Sequence, residues 1–279
     1  MVVFPQAKIN LGLNVVRKRD DGYHEIETVI VPIPLHDALE AVVAPDVEPG
    51  RVSYGRSGLV VDGAVESDLV MRAHAALARI RDLPGLRMHL HKCIPMGGGL
   101  GGGSSDGAHA LKLLDALLGL GCSPDELHAL ATGLGSDCPF FLQRGACLAT
   151  GRGEVLMPIP LDLSGWWLVL VNPGIHVPTS EVYRHTAPTG RTLDLVAALQ
   201  QHPAEEWRQV APNVMEDHVF RTWPAIHALR DALLDAGAAH AAMSGSGASV
   251  FGLFRSEPPI LSWPQGHVQW VLRLGKEAA

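Results

Sequence analysis

The sequence predicts an α+β fold in two domains, and three observations carry that prediction. Short apolar–polar alternations of strand type recur through the first hundred residues, interleaved with stretches whose apolar residues fall at helical spacing. At 279 residues the chain is long enough for one large domain or two of ordinary size. Around residues 151–165 the pattern weakens, with glycines and prolines spaced through it, before a new apolar run opens. A boundary is therefore placed near residue 157, giving domains 1–157 and 158–279.

The elements follow in order. Ala7, Ile9, Leu11 and Leu13 alternate with Lys8, Asn10, Gly12 and Asn14, so residues 2–16 read as a strand with one buried face. The stretch R-K-R-D-D-G-Y-H turns the chain, and 26–34, 38–44 and 51–62 are further strand candidates. Residues 68–80 read as a helix with Leu69, Ala73, Ala76, Leu77 and Ile80 on one face, ended by Pro84-Gly85. Leu86, Met88 and Leu90 alternate again, and this strand leads into the run P-M-G-G-G-L-G-G-G-S-S-D-G, 95–107. A helix follows, with Leu111, Leu114, Leu117 and Leu118 as its buried stripe and Gly119 and Gly121 as its stop. Ser123, Pro124 and Glu126 start the next helix as a capping box. G-S-D-C-P-F-F, 135–141, returns to loop and strand. The second half opens with the strand W-W-L-V-L-V, 166–171. It carries helices near 192–201 and 224–236, and the cluster M-S-G-S-G-A-S-V-F, 243–251, ahead of a strand at Ser249–Phe254.

Composition excludes several function classes. Hydrophobic residues make up 47% and charged residues 18%, the balance of a folded protein, and the formal net charge is −7. A chain this acidic is not built for general nucleic-acid or membrane binding, and any phosphate it handles must meet positive charge gathered locally. Cys93, Cys122, Cys138 and Cys147 have no C-x-x-C spacing and read as thiols of a reducing compartment. No signal peptide opens the chain, and no apolar run reaches the ~18 residues of a membrane span. The expectation is a cytoplasmic protein.

The glycine run sits in a strand–loop–helix unit, which argues against a linker. That geometry points backbone N–H groups at an anion and adds the positive end of a helix. Ser104 and Ser105 can cap the helix or offer hydroxyls to a phosphate or to Mg²⁺. The bland alternative is a glycine turn with capping serines and no ligand. The P-loop pattern fails because no lysine follows the glycines. G-x-G-x-x-G does match at Gly97, Gly99 and Gly102. The acidic residue a dinucleotide fold wants about twenty residues on is lacking, since Glu126 is committed to a capping box.

Pro95-x-x-x-Gly99-Leu100-Gly101, running on to Ser104-Ser105, resembles the phosphate-binding loop of the GHMP kinases, the galacto-, homoserine, mevalonate and phosphomevalonate kinases. A-K-I-N-L at 7–11 and D-G-Y-H at 21–24 resemble that family's first signature, G-S-D-C-P-F-F a later one, and S-G-S-G-A at 244–248 its third motif. N-P-G-I-H-V-P-T at 172–179 matches as well. The resemblance runs in the right order over most of the chain and fades after about residue 252.

The resemblance implies an N-terminal ATP-binding domain of the ribosomal S5 domain 2-like type and a ferredoxin-like C-terminal domain. It implies phosphoryl transfer from ATP, with Mg²⁺, to a hydroxyl of a cytidine diphosphate-linked methylerythritol, by a monomer or weak homodimer. Another GHMP acceptor, or a non-catalytic nucleotide-binding module, are the alternatives. Asp137 would be the catalytic aspartate, taking the hydroxyl's proton, with Lys8 as its cationic partner. Alone, the one would read as a loop carboxylate or helix cap and the other as a solvated lysine. ATP would lie against Pro95, Met96, Gly97, Gly98, Gly99, Leu100, Gly101, Gly102, Gly103, Ser104, Ser105 and Asp106, with Asp68 also on the nucleotide side. Tyr23 and Tyr183 would stack on the cytosine and His24 would bond its edge. Asn10, Lys92 and Thr179 would contact the diphosphate and polyol, and Ser244 and Gly245 would close nearby. Two positions depart from the family. Asp106 and Asp68 stand where it usually has asparagine, and an ionised carboxylate repels phosphate and cannot donate. Either these side chains face away from ATP or they receive donors or Mg²⁺. His89 and His91 lie on one strand face and could in principle share a metal.

Overall fold

The computed structural model of the chain describes residues 1–61 and 63–275. The first half runs β1 (Val2–Val3), β2 (Gln6–Lys18), β3 (His24–His36), β4 (Ala38–Val43), β5 (Val52–Gly58), α1 (Leu69–Ala78), β6 (Leu86–Lys92), α2 (Gly102–Leu118) and α3 (Pro124–Leu134). The second runs β7 (Cys147–Thr150), β8 (Val155–Pro158), β9 (Trp167–Asn172), α4 (Thr179–His185), α5 (Leu195–Gln201), α6 (Trp207–Val210), α7 (Glu216–Thr222), α8 (Pro224–Asp235), β10 (His240–Met243), β11 (Val250–Phe254) and β12 (Val268–Arg273). Mixed sheets and helices bear out the α+β class. No helix among the described residues is long and apolar enough to cross a membrane.

The chain forms two compact units that interleave along the sequence. The first holds Met1–Ala7, Leu35–Met96 and Gly101–Gln143; the second holds Lys8–Pro34, Gly97–Leu100 and the chain from Arg144 onward. Residue 157 itself lies inside β8.

In the first unit the sheet order is β1-β4-β6-β5, with β5 parallel to β6 and the other pairs antiparallel. Strict alternation on β6 buries Leu86, Met88, Leu90 and Lys92 and exposes Arg87, His89 and His91. Lys92 is thus carried into the core by parity with three apolar residues. α1, α2 and α3 pack on one another, and α2 packs against β4. The α1 face differs from the expected one. Val70, Ala73, His74 and Leu77 are buried, whereas Ile80 lies beyond the helix end and is exposed. On α2 the buried leucines are 111, 113 and 114; Leu117 and Leu118 are half-buried. α3 begins as expected, with Ser123 and Glu126 in a reciprocal capping box. G-S-D-C-P-F-F does not become a strand: Cys138–Leu142 is a 3₁₀ turn, started by Pro139, which cannot supply a ladder N–H.

The second unit has two sheets, β2-β3-β7-β8 and β10-β11-β9-β12. The latter is antiparallel throughout. α7 packs on α8, and α8 on β10 and β11, closing a core that includes Val169, Val171, Ile226, Leu233 and Val250. β2 is not half-buried as its alternation suggests. Residues 7–15 are buried on both faces, so Lys8, Asn10 and Asn14 sit inside alongside Ile9 and Leu11. A strand that buries its polar face must find every polar atom a partner. α4, α7 and β12 were not legible from periodicity, the two helices being seven residues each and the strand six.

Candidate active site

The glycine run behaves as a backbone device. Gly99 has φ +75°, and a Cβ there would stand 2.0 Å from the Ser244 carbonyl oxygen, so no other residue fits. Gly101 is the N-cap of α2 in the left-handed region (φ +69°) and contributes no side-chain cap. The first intrahelical bond runs from Ser105 N–H to Gly101 C=O at 2.8 Å. The N–H groups of Gly102, Gly103 and Ser104 have no carbonyl one turn back. A helix start without a side-chain cap leaves those donors and the dipole for an anion. The serines are therefore not caps: they occupy the third and fourth helical positions. Ser105 is fully buried, with Oγ 3.3 Å from His109 Nδ1. His109 is itself held neutral, pushed down to about 4 chiefly by burial.

Beside this helix start, within the first unit, lies a cavity of ≈190 Å³ walled by Val61, Leu69, Leu90, Met96 and Gly103 and by four charged side chains, Arg56, Asp68, Lys92 and Asp106. Each aspartate is answered by a cation. Asp68 caps α1, accepting from Val70 N–H at 3.3 Å, and also accepts from Tyr54 Oη at 2.8 Å; Arg56 Nη1 stands 3.8 Å away. Lys92 is 1% exposed and donates to Asp106 Oδ2 at 2.6 Å and to Asp37 Oδ2. Asp37 is further held by the backbone N–H groups of Cys93 (2.5 Å) and Ile94 (2.8 Å). Asp106 Oδ1 is buried without a partner. Burial raises the Asp106 pKa well above the usual carboxylate value; Lys92 offsets this only in part, and Asp37 adds to it. Of the partners expected for these aspartates, the structure shows donors at both: Tyr54 and Val70 at Asp68, and Lys92 at Asp106. Lys92, expected at the acceptor's diphosphate, is bound instead into this buried triad and shares the cavity wall with Asp68 and Asp106.

A second cluster lies within the other unit. Lys8, 4% exposed, donates to Asn10 Oδ1 at 2.7 Å and to the Gly99 carbonyl at 3.0 Å. Asn10 donates through Nδ2 to Thr28 Oγ1 at 2.9 Å, and Thr28 passes its hydroxyl to Gly12 C=O at 2.7 Å. This relay fixes the Asn10 amide so that Oδ1 faces the ammonium. Ser244 Oγ donates to Gly99 C=O at 2.8 Å, and the Lys8 N–H donates to Leu100 C=O at 3.0 Å. Three sequence motifs thus meet at one point: the N-terminal strand, the glycine run and S-G-S-G-A. Asn213 pins the last of these, donating to Met243 C=O (3.0 Å) and Gly245 C=O (2.8 Å). Nothing in the sequence marked Asn213, Thr28 or Asp37, each an isolated polar residue whose partner is remote along the chain.

Tyr183 and His24 stack, with ring centroids 5.1 Å apart and planes at 25°. Partial burial and Lys18 lower the His24 pKa, leaving a neutral ring with one donor and one acceptor edge. Tyr23, 54% exposed, has the Arg152 guanidinium 4.7 Å over its ring. Thr179 opens α4, its hydroxyl 2.9 Å from Ser246 Oγ. Asp137 precedes the 3₁₀ turn and makes no side-chain capping bond to it. The adjacent Cys138 thiol is pushed up to about 11, chiefly by burial, which rules it out as a nucleophile. Ser57 Oγ stands 2.8 Å from His89 Nε2 and 2.9 Å from His91 Nδ1, filling the place a shared metal would need.

Comparison with known proteins gives the family. Residues 68–145 match the family described as GHMP kinases N terminal domain and residues 195–260 that described as GHMP kinases C terminal. The chain is 46% identical over 254 residues to the 4-diphosphocytidyl-2-C-methyl-D-erythritol kinase of Parabacteroides distasonis, covering 91% of this chain and 92% of that one. To the enzyme of the same name from Porphyromonas gingivalis it is 45% identical over 261 residues, covering 93% and 94%. A crystal structure of 4-(cytidine 5'-diphospho)-2C-methyl-D-erythritol kinase superposes with a TM-score of 0.73 at 35% identity, covering 91% of this chain and 90% of that one. A Streptococcus pneumoniae phosphomevalonate kinase shares the fold at 17% identity, with a TM-score of 0.66 over 92% of each chain.

Proposed function

The chain belongs to the GHMP kinases, and from that membership we propose that it transfers the γ-phosphoryl group of ATP to the 2-hydroxyl of 4-diphosphocytidyl-2-C-methyl-D-erythritol, a step toward isoprenoid precursors by the non-mevalonate route. The observation that carries this reading is identity of 46% to a kinase of that name, sustained over 91% of the chain. The site supports it. The uncapped start of α2 offers N–H donors to the nucleotide's phosphates, and a cavity lined by both apolar and charged side chains adjoins it. Mg²⁺, when bound with ATP, would neutralise charge developing on the transferred group. Asp137 takes the proton of the acceptor hydroxyl, and Lys8, oriented by Asn10 and Gly99 C=O, keeps a cation near the reacting oxygens. The enzyme works in the cytoplasm as a monomer or weak homodimer, without nucleic-acid or membrane partners.

ADP release with the cytidyl-methylerythritol acceptor, measured beside mevalonate, homoserine and galactose, tests the reading. Turnover at least ~10²-fold faster with the cytidyl acceptor is expected, since a built polar site rejects analogues lacking its hydrogen-bonding groups by large factors. Preference for another acceptor would leave a GHMP kinase of different substrate. ATP binding without turnover on any would leave a binding module. On the acceptor side, Tyr183→Ala is expected to raise the acceptor KM by roughly 5- to 150-fold, the equivalent of ~1–3 kcal/mol for one stacked base, with the ATP KM unchanged. An unchanged acceptor KM would remove cytosine from the His24–Tyr183 stack.

A further inference from the structure

Within the second unit, α4 and α7 pack against each other and bring together three side chains that phosphoryl transfer does not use. Glu181 and His185 are four residues apart on α4 and so share a face. His218 projects from α7. One ligand atom from each of the three lies within 4.8 Å of the others. We propose that Glu181, His185 and His218 form a binding site for a zinc-class divalent cation that ties α4 to α7.

The local hydrogen bonding favours ligation. His185 Nδ1 lies 3.0 Å from the Glu181 carbonyl oxygen, which can only accept, so Nδ1 carries the proton. Nε2 is then the nitrogen that keeps its lone pair. His218 Nε2 is buried with no hydrogen-bond partner. An orphaned ring nitrogen is costly where it stands, and a metal ion would satisfy it. The His218 ring is positioned by Trp223, edge-on with centroids 6.1 Å apart at 88°.

The rings of His185 and His218 stack, with centroids 4.7 Å apart and planes at 14°. Parallel imidazoles cannot both aim lone pairs at one ion. Binding therefore requires His185, which is exposed, to give up its bond to the Glu181 carbonyl, rotate about its side-chain bonds and bring the ligand atoms to the ~3.4 Å spacing of a tetrahedral zinc site. Two imidazoles and one carboxylate, with a water as fourth ligand, suit Zn²⁺. Mg²⁺ prefers an all-oxygen set, so this site is separate from any magnesium used with ATP. α4 also carries Thr179 and Tyr183, so an ion here stiffens the helix that presents them.

The full-length chain, stripped of metal by chelator and dialysis, is titrated with Co²⁺ and then with Zn²⁺ against a chromophoric chelator. One equivalent of Co²⁺ with the visible bands of four-coordinate cobalt, displaced by Zn²⁺, is the expected result, together with a rise in Tm on Zn²⁺ addition. His185→Ala and His218→Ala should each weaken binding by ~100-fold or more, since loss of even an outer partner of a metal ligand costs up to that factor. His185 is exposed, so its variant is expected to fold and to keep its magnesium-dependent turnover. Absence of saturable Co²⁺ binding in the wild type overturns the proposal, as does binding that survives the double variant.

Discussion

Asp137→Asn is expected to lower kcat by about 10²–10⁴-fold, the loss typical of a positioned acid–base group, with Tm unchanged. Asparagine has the shape of aspartate but cannot accept a proton at neutral pH, so the substitution isolates the chemistry. The competing account of Asp137, a helix cap, predicts a different signature. Losing a cap costs ~0.5–2 kcal/mol of stability and leaves the chemical step intact, yet this side chain makes no capping bond to the turn it precedes. The loose transition state of phosphoryl transfer asks little of a base early in the reaction, which favours the lower part of the range. Single-turnover ADP release at saturating substrates, read beside a thermal melt, distinguishes the accounts. Turnover near wild type would leave Lys8 and the nucleotide site to carry the rate without a base. A matched fall in Tm would return Asp137 to a structural role.

The glycine run was legible because its demands are local. A left-handed Gly101 before a helix and a Gly99 with no room for a Cβ are properties of the backbone that only one residue type meets. The same holds for the Ser123–Glu126 capping box and for the parity of β6. The strand period of β2 was also visible, but it suggested a solvated face for Lys8, Asn10 and Asn14 that the structure buries. Periodicity reports which residues are apolar, not which polar ones have partners elsewhere in the fold. Asn10 is satisfied by Thr28, eighteen residues away, and Ser244 by Gly99, 145 away. No window of sequence contains both ends of such a bond. Asp37 shows the same limit more sharply. It is a single acid between two strands, and its meaning depends on Lys92, fifty-five residues on. The departures at Asp68 and Asp106 were detectable as odd letters, but the cations that answer them, Arg56 and Lys92, could be assigned only in three dimensions.

Lys92→Met is expected to destabilise the fold by about 3–5 kcal/mol, the cost of removing one partner from a buried ion cluster, whereas Asp106→Asn should cost far less. The asymmetry follows from the partners. Asp37 accepts from Lys92 and from two backbone N–H groups, so its charge is well held. Asp106 has one bonded oxygen and one orphaned one. An amide at Asp106 keeps an acceptor for Lys92 and removes the second buried negative charge. Two carboxylates facing one ammonium in a dry site cannot both ionise cheaply, and burial raises the pKa of Asp106. Its folded-state pKa then lies above the unfolded value of 3.8, and the native state binds more protons than the unfolded state between the two. Stability contributed at this site must therefore fall as pH rises from 3.8 through the raised value. Lys92 acts at the other end. Burial alone would lower its pKa, but the two carboxylates together raise it above 10.5, so its contribution is complete below that pH and lost as pH rises through the folded value. Urea unfolding of wild type, Lys92→Met and Asp106→Asn over a pH series reads all three. The acid-to-neutral decline should be present in wild type and absent in Asp106→Asn. Parallel profiles would mean that Asp106 holds no proton there. An unchanged Mg²⁺ requirement in Asp106→Asn is also expected, because Lys92 already supplies the positive charge that a magnesium ion would otherwise bring to this carboxylate. A Lys92→Met variant as stable as wild type would mean that the two carboxylates share a proton without the ammonium, and that Lys92 lies in the cavity wall for the ligand's sake alone.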